Sequence, residues 1–339
     1  MKNIRTQSIF DFIKKKETLT YSELLKNFSD INESTLTRNL NKLINEWRIQ
    51  KVKTWKNTFY RIAWKDKILD YLKVPFFERD KKTYNFDFLW DYIPNQTSFL
   101  WGAYDIIKEK YLDHTILSTY DYKQNIRMIE NLLIDLSFSS SQLEWNTYSY
   151  LDTEILIKYN SAAEWKTQVE TQMILNHKNA IKYIIDNRKE ISYTKMEFQN
   201  IHSLLWKWLL LEDYLWKIRS SEVGIWWSAY IPLDNTFQLE EQFEIFLRKL
   251  AEIQNPFEQS LFILVFIPYF QIFMDINKRT SRITANIPLI KNWFVPFSFL
   301  QVKDRDYITA ILAIYELNDT SLLRDIFVDN YILNMRRYI

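Results

Sequence analysis

From about residue 130 to the C-terminus, apolar side chains recur at helical spacing almost without a break. The segments 150–158, 166–188, 194–211, 237–254, 256–270, 279–291, 304–317 and 320–333 read as helices, and 223–232 alone reads as a short hairpin. A chain patterned this way is mainly α, with strands as accessories. Its 339 residues suffice for two or three domains. The longest apolar run, 261–270, is far shorter than the ~20 residues of a membrane span, so no membrane partner is expected. The chain has no cysteine, which removes disulfides, thiolate metal sites and a cysteine nucleophile and fits a reducing cytoplasm.

The first 64 residues have a different pattern. Ile9, Phe10, Phe12 and Ile13 mark an amphipathic helix over 4–16. Thr20 with Glu23 three residues on is a capping box for a second helix carrying Leu24, Leu25 and Phe28. Leu36, Leu40, Leu43 and Ile44 define a third helix over 33–45, and two alternating runs follow at 49–52 and 58–62. Three helices and a hairpin in this order predict a winged helix-turn-helix domain over 1–64. Thr35, Thr37, Arg38, Asn41 and Lys42 would then line the exposed face of its recognition helix. Residues 1–62 hold 13 Lys/Arg against 6 Asp/Glu, a charge of +7, which leaves −5 for the rest. A basic module on an acidic body suits a polyanion such as DNA, and the same module also serves for protein contacts. Residues 65–130 read as a helical connector with a turn at 91–95, and 131–339 as the main helical domain.

The stretch with chemical character is Gln271-Ile272-Phe273-Met274-Asp275-Ile276-Asn277-Lys278-Arg279-Thr280-Ser281-Arg282. An apolar helix ends before it and another begins within it. A polar loop feeding a helix N-terminus offers free N–H groups and the positive end of the helix dipole to an anion. Asp275 can hold a divalent cation, and Asn277, Lys278, Arg279 and Arg282 can grip phosphate oxygens. The same string also reads as a helix cap with solvated basic residues.

This string resembles the signature of the Fic family, His-Pro-Phe-x-Asp-Gly-Asn-Gly-Arg-x-x-Arg, matching it at Phe273, Asp275, Asn277, Arg279 and Arg282. Lys278 is similar to the Doc branch, whose loop reads Asp-Ala-Asn-Lys-Arg-Thr. Ile201-His202-Ser203-Leu204-Leu205, Arg219, the 223–232 segment, Ala285-Asn286-Ile287-Pro288, Asp306-Tyr307 and Tyr315-Glu316-Leu317-Asn318 extend the likeness over roughly 130–335. The resemblance implies a Fic-type helical core with a small β-hairpin flap, and protein adenylylation: transfer of AMP from ATP with Mg²⁺ to a hydroxyl of a target protein. In that scheme Asp275 holds Mg²⁺, Phe273, Asn277, Lys278, Arg279 and Arg282 surround the nucleotide, and the flap aligns the target. Ser140-Ser141-Gln142-Leu143-Glu144-Trp145-Asn146 resembles the family's inhibitory helix, Ser/Thr-x-x-x-Glu-Gly/Asn. By that likeness Ser140 and Glu144 are inhibitory residues, and Glu144 pairs with Arg282 and blocks the γ-phosphate. A surface glutamate is the plainer reading of the same residue.

One departure bears on activity. Where the family has the histidine that deprotonates the target hydroxyl, this chain has Gln271, and His114, His177 and His202 all lie outside the motif. An amide can orient a hydroxyl but cannot take its proton, and losing a general base costs roughly 10²–10⁴ in rate. An alternative is therefore a non-catalytic nucleotide sensor that regulates transcription through the winged helix. A Doc-like protein kinase, indicated only by Lys278, is a third. The target protein is not named by the sequence, and a homodimer is left open.

Composition holds one anomaly: 2 Gly and 13 Trp, where an average domain is roughly 7% Gly. Turns and helix ends at φ > 0 normally take glycine. By the resemblance, Trp145, Trp216 and Trp227 stand where glycine is expected, and Trp47, Trp55, Trp165 and Trp293 fall at expected turns or helix ends. Either the protein is unusually rich in tryptophan, or its gene uses UGA for glycine and the codon has been written as tryptophan.

Overall fold

In the computed structural model, the structure describes residues 2–16, 18–45, 49–53, 58–62, 64–100, 107, 122–209 and 216–338. Trp47, Trp55 and His114 lie outside the described residues, as do 101–106 and 108–121 of the expected connector. The chain divides into two compact units, Met1–Pro75 and Phe76–Ile339.

The N-terminal unit runs α1 (Lys2–Lys16), β1 (Thr18–Thr20), α2 (Tyr21–Asn27), α3 (Glu33–Asn45), β2 (Ile49–Lys53), β3 (Thr58–Ile62) and α4 (Trp64–Lys73). The capping box forms as the sequence predicts: Thr20 accepts from the Glu23 N–H, and Glu23 accepts in return from the Thr20 N–H. β2 and β3 form an antiparallel hairpin, with Lys51 opposite Tyr60, and β1 joins as a third strand on the other side of β3. Ile9, Ile13, Leu24, Leu36, Leu40 and Leu43 form one buried cluster against this sheet. Burying that face of α3 leaves Thr37, Arg38, Asn41 and Lys42 exposed and Thr35 half-buried.

The larger unit holds a short 3₁₀ turn (Phe76–Glu78), β4 (Lys82–Thr83), α5 (Asp87–Trp90), α6 (Tyr122–Gln142), α7 (Tyr150–Tyr159), α8 (Gln168–Asp186), α9 (Lys195–Trp206), β5 (Tyr230–Ile231), α10 (Thr236–Glu252), α11 (Pro256–Phe270), α12 (Asn277–Thr284), α13 (Ile287–Lys291), α14 (Asp304–Leu317) and α15 (Ser321–Tyr338). Helix α11 is apolar on every side, and 257–270 are all buried, as that composition requires. Phe262 and Phe266 on it pack against Phe246 of α10, the Phe246 and Phe262 rings stacking at 5.2 Å. A second cluster joins Leu136 of α6, Ile181 and Ile184 of α8, Ile201 and Leu205 of α9, and Ile276 and Ile283. Helix α12 thus packs against α11 on one side and α8–α9 on the other, and the loop before it is fixed by both cores. Among the described residues no helix is long and apolar enough to cross a membrane.

Three expectations are corrected. The described residues of 65–130 do not form a separate connector: α4 belongs to the N-terminal unit, while Tyr84, Leu89, Tyr92 and Phe99 are buried in the main core around α11. A segment that buries this much aromatic surface is part of the domain. The segment 223–232 turns at Ile225–Ser228 but forms no hairpin of its own. Only Tyr230–Ile231 is strand, and it pairs in parallel with Lys82–Thr83. The single helix expected at 279–291 breaks at Ala285–Asn286, where Asn286 donates to the Arg282 and Phe297 carbonyls and accepts from the Phe297 N–H.

Backbone conformation resolves the tryptophan anomaly into positions. Trp145, Trp165, Trp208, Trp216, Trp227 and Trp293 all have φ between 62° and 65°. They are 36% to 98% exposed. A non-glycine residue held in this region costs about 1–3 kcal/mol. Six such residues together cost about as much as the whole folding stability of a domain.

Candidate nucleotide site

The loop between α11 and α12 is bracketed by two left-handed residues, Gln271 (φ 49°) and Ile276 (φ 63°). Asn277 ties it together. Its Oδ1 accepts from the Phe273 N–H at 2.9 Å, while its Nδ2 donates to the Phe273 carbonyl at 2.8 Å and to Gln271 Oε1 at 3.1 Å. Asn277 is buried and committed to the loop, so its role is to shape the loop rather than to brace phosphates as the resemblance implies. Phe273 is likewise corrected: it is fully buried, and its ring stacks on His202 at 3.8 Å, so it is packing beneath the loop and not a ligand contact. His202 Nε2 lies 3.2 Å from the Asp275 carbonyl. A carbonyl only accepts, so Nε2 carries the proton. Burial pushes the imidazole down to about 3, which keeps it neutral.

Four of the expected residues converge on one side of this loop. The Asp275 carboxylate is exposed, with Oδ1 accepting from the Ile276 N–H at 2.6 Å. Lys278 is half-exposed, and Arg279 and Arg282 are buried. Arg282 is fully enclosed. Its Nε donates to Ser140 Oγ at 2.9 Å, Nη1 to Tyr307 Oη at 3.1 Å, and Nη2 to the Ser140 carbonyl at 3.0 Å and to Glu144 Oε1 at 2.8 Å. Lys278 Nζ stands 3.7 Å from the same carboxylate. Burial alone would raise the Glu144 pKa, but Arg282, Lys278 and Arg279 together hold it at about 2. Arg279 is different. Its Nε and Nη1 are buried with no hydrogen-bond partner among the described residues. Burial draws its pKa below the ordinary arginine value. An enclosed guanidinium with idle donors can accept an anion or water.

Gln271 opens the loop at the end of α11. Its Nε2 donates to the Pro268 carbonyl at 2.7 Å and to Tyr315 Oη at 3.1 Å, and its Oε1 accepts from Asn277. Arg219 holds the loop entry by donating to the Gln271 carbonyl, and it also reaches the carbonyls of Ser221 and Leu233. The segment before β5 is held by a buried ion pair, Arg79–Glu316 at 2.9 Å. Glu316 also accepts from Ser228 Oγ and the Ala229 N–H, and Arg79 donates to the Trp227 carbonyl. Tyr307, Tyr315 and His177 were not singled out from sequence as site residues. Tyr307 and Tyr315 enter only as part of the Fic likeness, with no site role, and His177 reads as an apolar-face residue until the tertiary fold places it. No cluster of three metal-binding side chains occurs among the described residues. Mg²⁺ commonly uses one or two carboxylates plus substrate phosphates, and Asp275 is of that kind.

Residues 192–289 match the Fic/DOC family. No curated protein matches the sequence. The fold is similar to that of a Fic-1 fragment from C. elegans, with a TM-score of 0.58, 16% identity and 70% of each chain covered. It is also similar to a Fic family protein from Desulfovibrio desulfuricans, with a TM-score of 0.57, 15% identity, and 73% of this chain and 76% of that one covered. A Fic domain containing signaling protein from Bacteroides thetaiotaomicron gives a TM-score of 0.53 at 14% identity, over 70% of this chain and 94% of that one. Residues 192–289, with the loop and the basic residues of α12, form a Fic/DOC family domain within a mainly helical chain that resembles Fic domain structures.

Proposed function

We propose that this protein binds ATP with Mg²⁺ and that its site is built for AMP transfer to a protein hydroxyl, restrained by Glu144 and slowed by Gln271. The observation that carries the reading is Arg279, buried beside the α12 N-terminus with Nε and Nη1 unpartnered among the described residues. A polyphosphate would satisfy those donors. Mg²⁺ would supply charge neutralisation on the phosphates, with Asp275 as its protein ligand. Lys278 and Arg279 would hold phosphate oxygens, and Arg282 would take the γ-phosphate once Glu144 withdraws. The target hydroxyl must lose its proton as its oxygen bonds to the α-phosphorus and pyrophosphate departs. Gln271 can orient that hydroxyl but leaves the proton to water. Incubating the full chain with ATP labelled on the α-phosphate, alone and with host lysate, tests the reading. Faint covalent label on protein, with ATP bound, supports it. Absence of both label and ATP binding refutes it.

A second reading, a nucleotide sensor without catalysis, is favoured by one observation: both ends of the Gln271 amide are already engaged in the loop. The basic N-terminal unit would then be its output. Thr35, Thr37, Arg38, Asn41 and Lys42 on α3 would meet duplex DNA.

A further inference from the structure

Behind the Glu144–Arg282 pair lies a chain of buried groups that phosphate binding does not use. His177, on α8, is fully buried, with Nδ1 2.8 Å from the Met173 carbonyl and Nε2 3.0 Å from Ser140 Oγ. Burial keeps the ring neutral, with its pKa pushed down to about 3. A neutral imidazole has one N–H, and a carbonyl cannot donate, so the proton is on Nδ1 and Nε2 accepts. The Ser140 hydroxyl therefore donates to His177, which turns its oxygen lone pairs toward Arg282 Nε, 2.9 Å away. Hydrogen bonds run in one sense from Arg282 through Ser140 and His177 to a backbone carbonyl of α8. Without the imidazole acceptor the Ser140 hydroxyl loses the partner that sets its direction, and the last turn of α6, which carries Glu144 just beyond it, loses the ties that His177 makes to Ser140 and Ser141 while Asn146 and Thr147 still bond Glu170 of α8.

We propose that His177 is a positioning residue for inhibition, fixing Ser140 so that Glu144 meets Arg282. The proposal rests on the reading that Glu144 excludes the γ-phosphate. Its test compares ATP and ADP affinities of the full chain by calorimetry. His177→Phe, which keeps a ring but has no acceptor, should tighten ATP binding several-fold toward the level of Glu144→Gly and leave ADP unchanged. Ser140→Ala cuts the same link with a smaller volume change and should do likewise. His177→Gln keeps an acceptor and should behave as wild type. If Glu144→Gly tightens ATP but neither His177→Phe nor Ser140→Ala does, the proposal is overturned. Equal loss of ATP and ADP binding in both variants would make His177 merely structural, and also overturns it. No gain in ATP over ADP for Glu144→Gly would instead refute the underlying inhibitory reading.

A separate observation carries a second inference. Six tryptophans share the left-handed backbone that glycine adopts without cost, and all six are at least 36% exposed. Trp206 contrasts with them: it ends α9, is buried, and packs its ring on His202 at 5.3 Å. Tryptophan is retained where it buries area, and these six gain little. Trp227 touches Phe76, and Arg188 lies over Trp293, each at a partly exposed site. We infer that positions 145, 165, 208, 216, 227 and 293 are glycine in the protein as its own cell makes it, through UGA codons read there as glycine, while Trp206 is tryptophan. The gene should then carry UGA at those six codons and UGG at 206, and peptide mass spectrometry of the native protein should find glycine at all six. In recombinant protein, the six Trp→Gly changes should raise the unfolding temperature, and Trp206→Gly should lower it. UGG codons at 145 and 216, or native peptides with tryptophan there, would overturn the inference.

Discussion

The Glu144 carboxylate lies 2.8 Å from Nη2 of Arg282, an arginine with no exposed surface of its own. One acidic group from the end of α6 therefore closes the basic side of α12. The closure is electrostatic, and its dependence on pH follows from the Glu144 pKa.

That pKa is held at about 2, below the ordinary 4.5. A depressed carboxylate contributes stability that is fully present above the ordinary value and is lost as pH falls through the folded one. The affinity gain of Glu144→Gly for ATP should therefore be constant across neutral and mildly acidic pH. From about pH 5 down to about pH 2 the melting temperature of the wild type should fall more steeply than that of Glu144→Gly. Parallel acid profiles for the two proteins would contradict the pairing.

Arg279→Ala should weaken Mg-ATP binding by roughly 1.5–3 kcal/mol, the worth of a charge-assisted hydrogen bond. The folded protein should lose little stability, because the buried Nε and Nη1 have no hydrogen-bond partner among the described residues and only the attraction of Arg279 for Glu144 and Asp275 is given up. Calorimetry and thermal melts read the two effects separately. Unchanged affinity would place the nucleotide elsewhere.

Arg79→Ala should destabilise the larger unit by roughly 3–5 kcal/mol, since it strips a buried ion pair of one partner. Glu316 would keep Ser228 and the Ala229 N–H, so Arg79→Ala with Glu316→Gln should recover part of the loss. Urea unfolding of the three proteins measures it. A cost for Arg79→Ala no larger than that of an exposed pair would show that the segment before β5 is held by other contacts.

Much of this architecture was legible in the sequence, and the failures have physical causes. The capping box at Thr20 and Glu23 is a local signal and forms as written. Helix α11 announces itself by an unbroken apolar run. The break at Ala285–Asn286 is hidden because the apolar pattern continues across it and a single asparagine redirects the chain. The partner of β5 is two residues long and lies 148 positions away, too short to show alternation. At the site, Arg279 and Arg282 were identifiable from their spacing. Asn277 and Phe273 were assigned to the ligand because spacing does not say which way a side chain turns. His177 and Ser140 meet across 37 positions on two helices, and a lone histidine on an apolar face reads as core.

On the N-terminal unit, Arg38 and Lys42 lie on the exposed face of α3. The full chain should bind duplex DNA with an affinity that falls steeply as salt rises, and Arg38→Ala with Lys42→Ala should flatten that dependence by neutralising about two fewer phosphates. Fluorescence anisotropy over a salt series checks it. No binding at low salt would make the unit a protein-contact element.

The central claim is that the nucleotide site is intact but carries two deficits: Glu144 occupies Arg282, and Gln271 cannot take a proton. Removing the first repairs geometry, and restoring imidazole repairs the chemical step, so the effects should couple. The decisive measurement is self-labelling from α-phosphate-labelled ATP by the wild type, Glu144→Gly, Gln271→His and the double variant. The account predicts faint labelling by the first three and a rate for the double variant roughly 10²–10⁴ above Glu144→Gly. Strong labelling by the wild type, or none by a folded double variant that binds ATP, would contradict it.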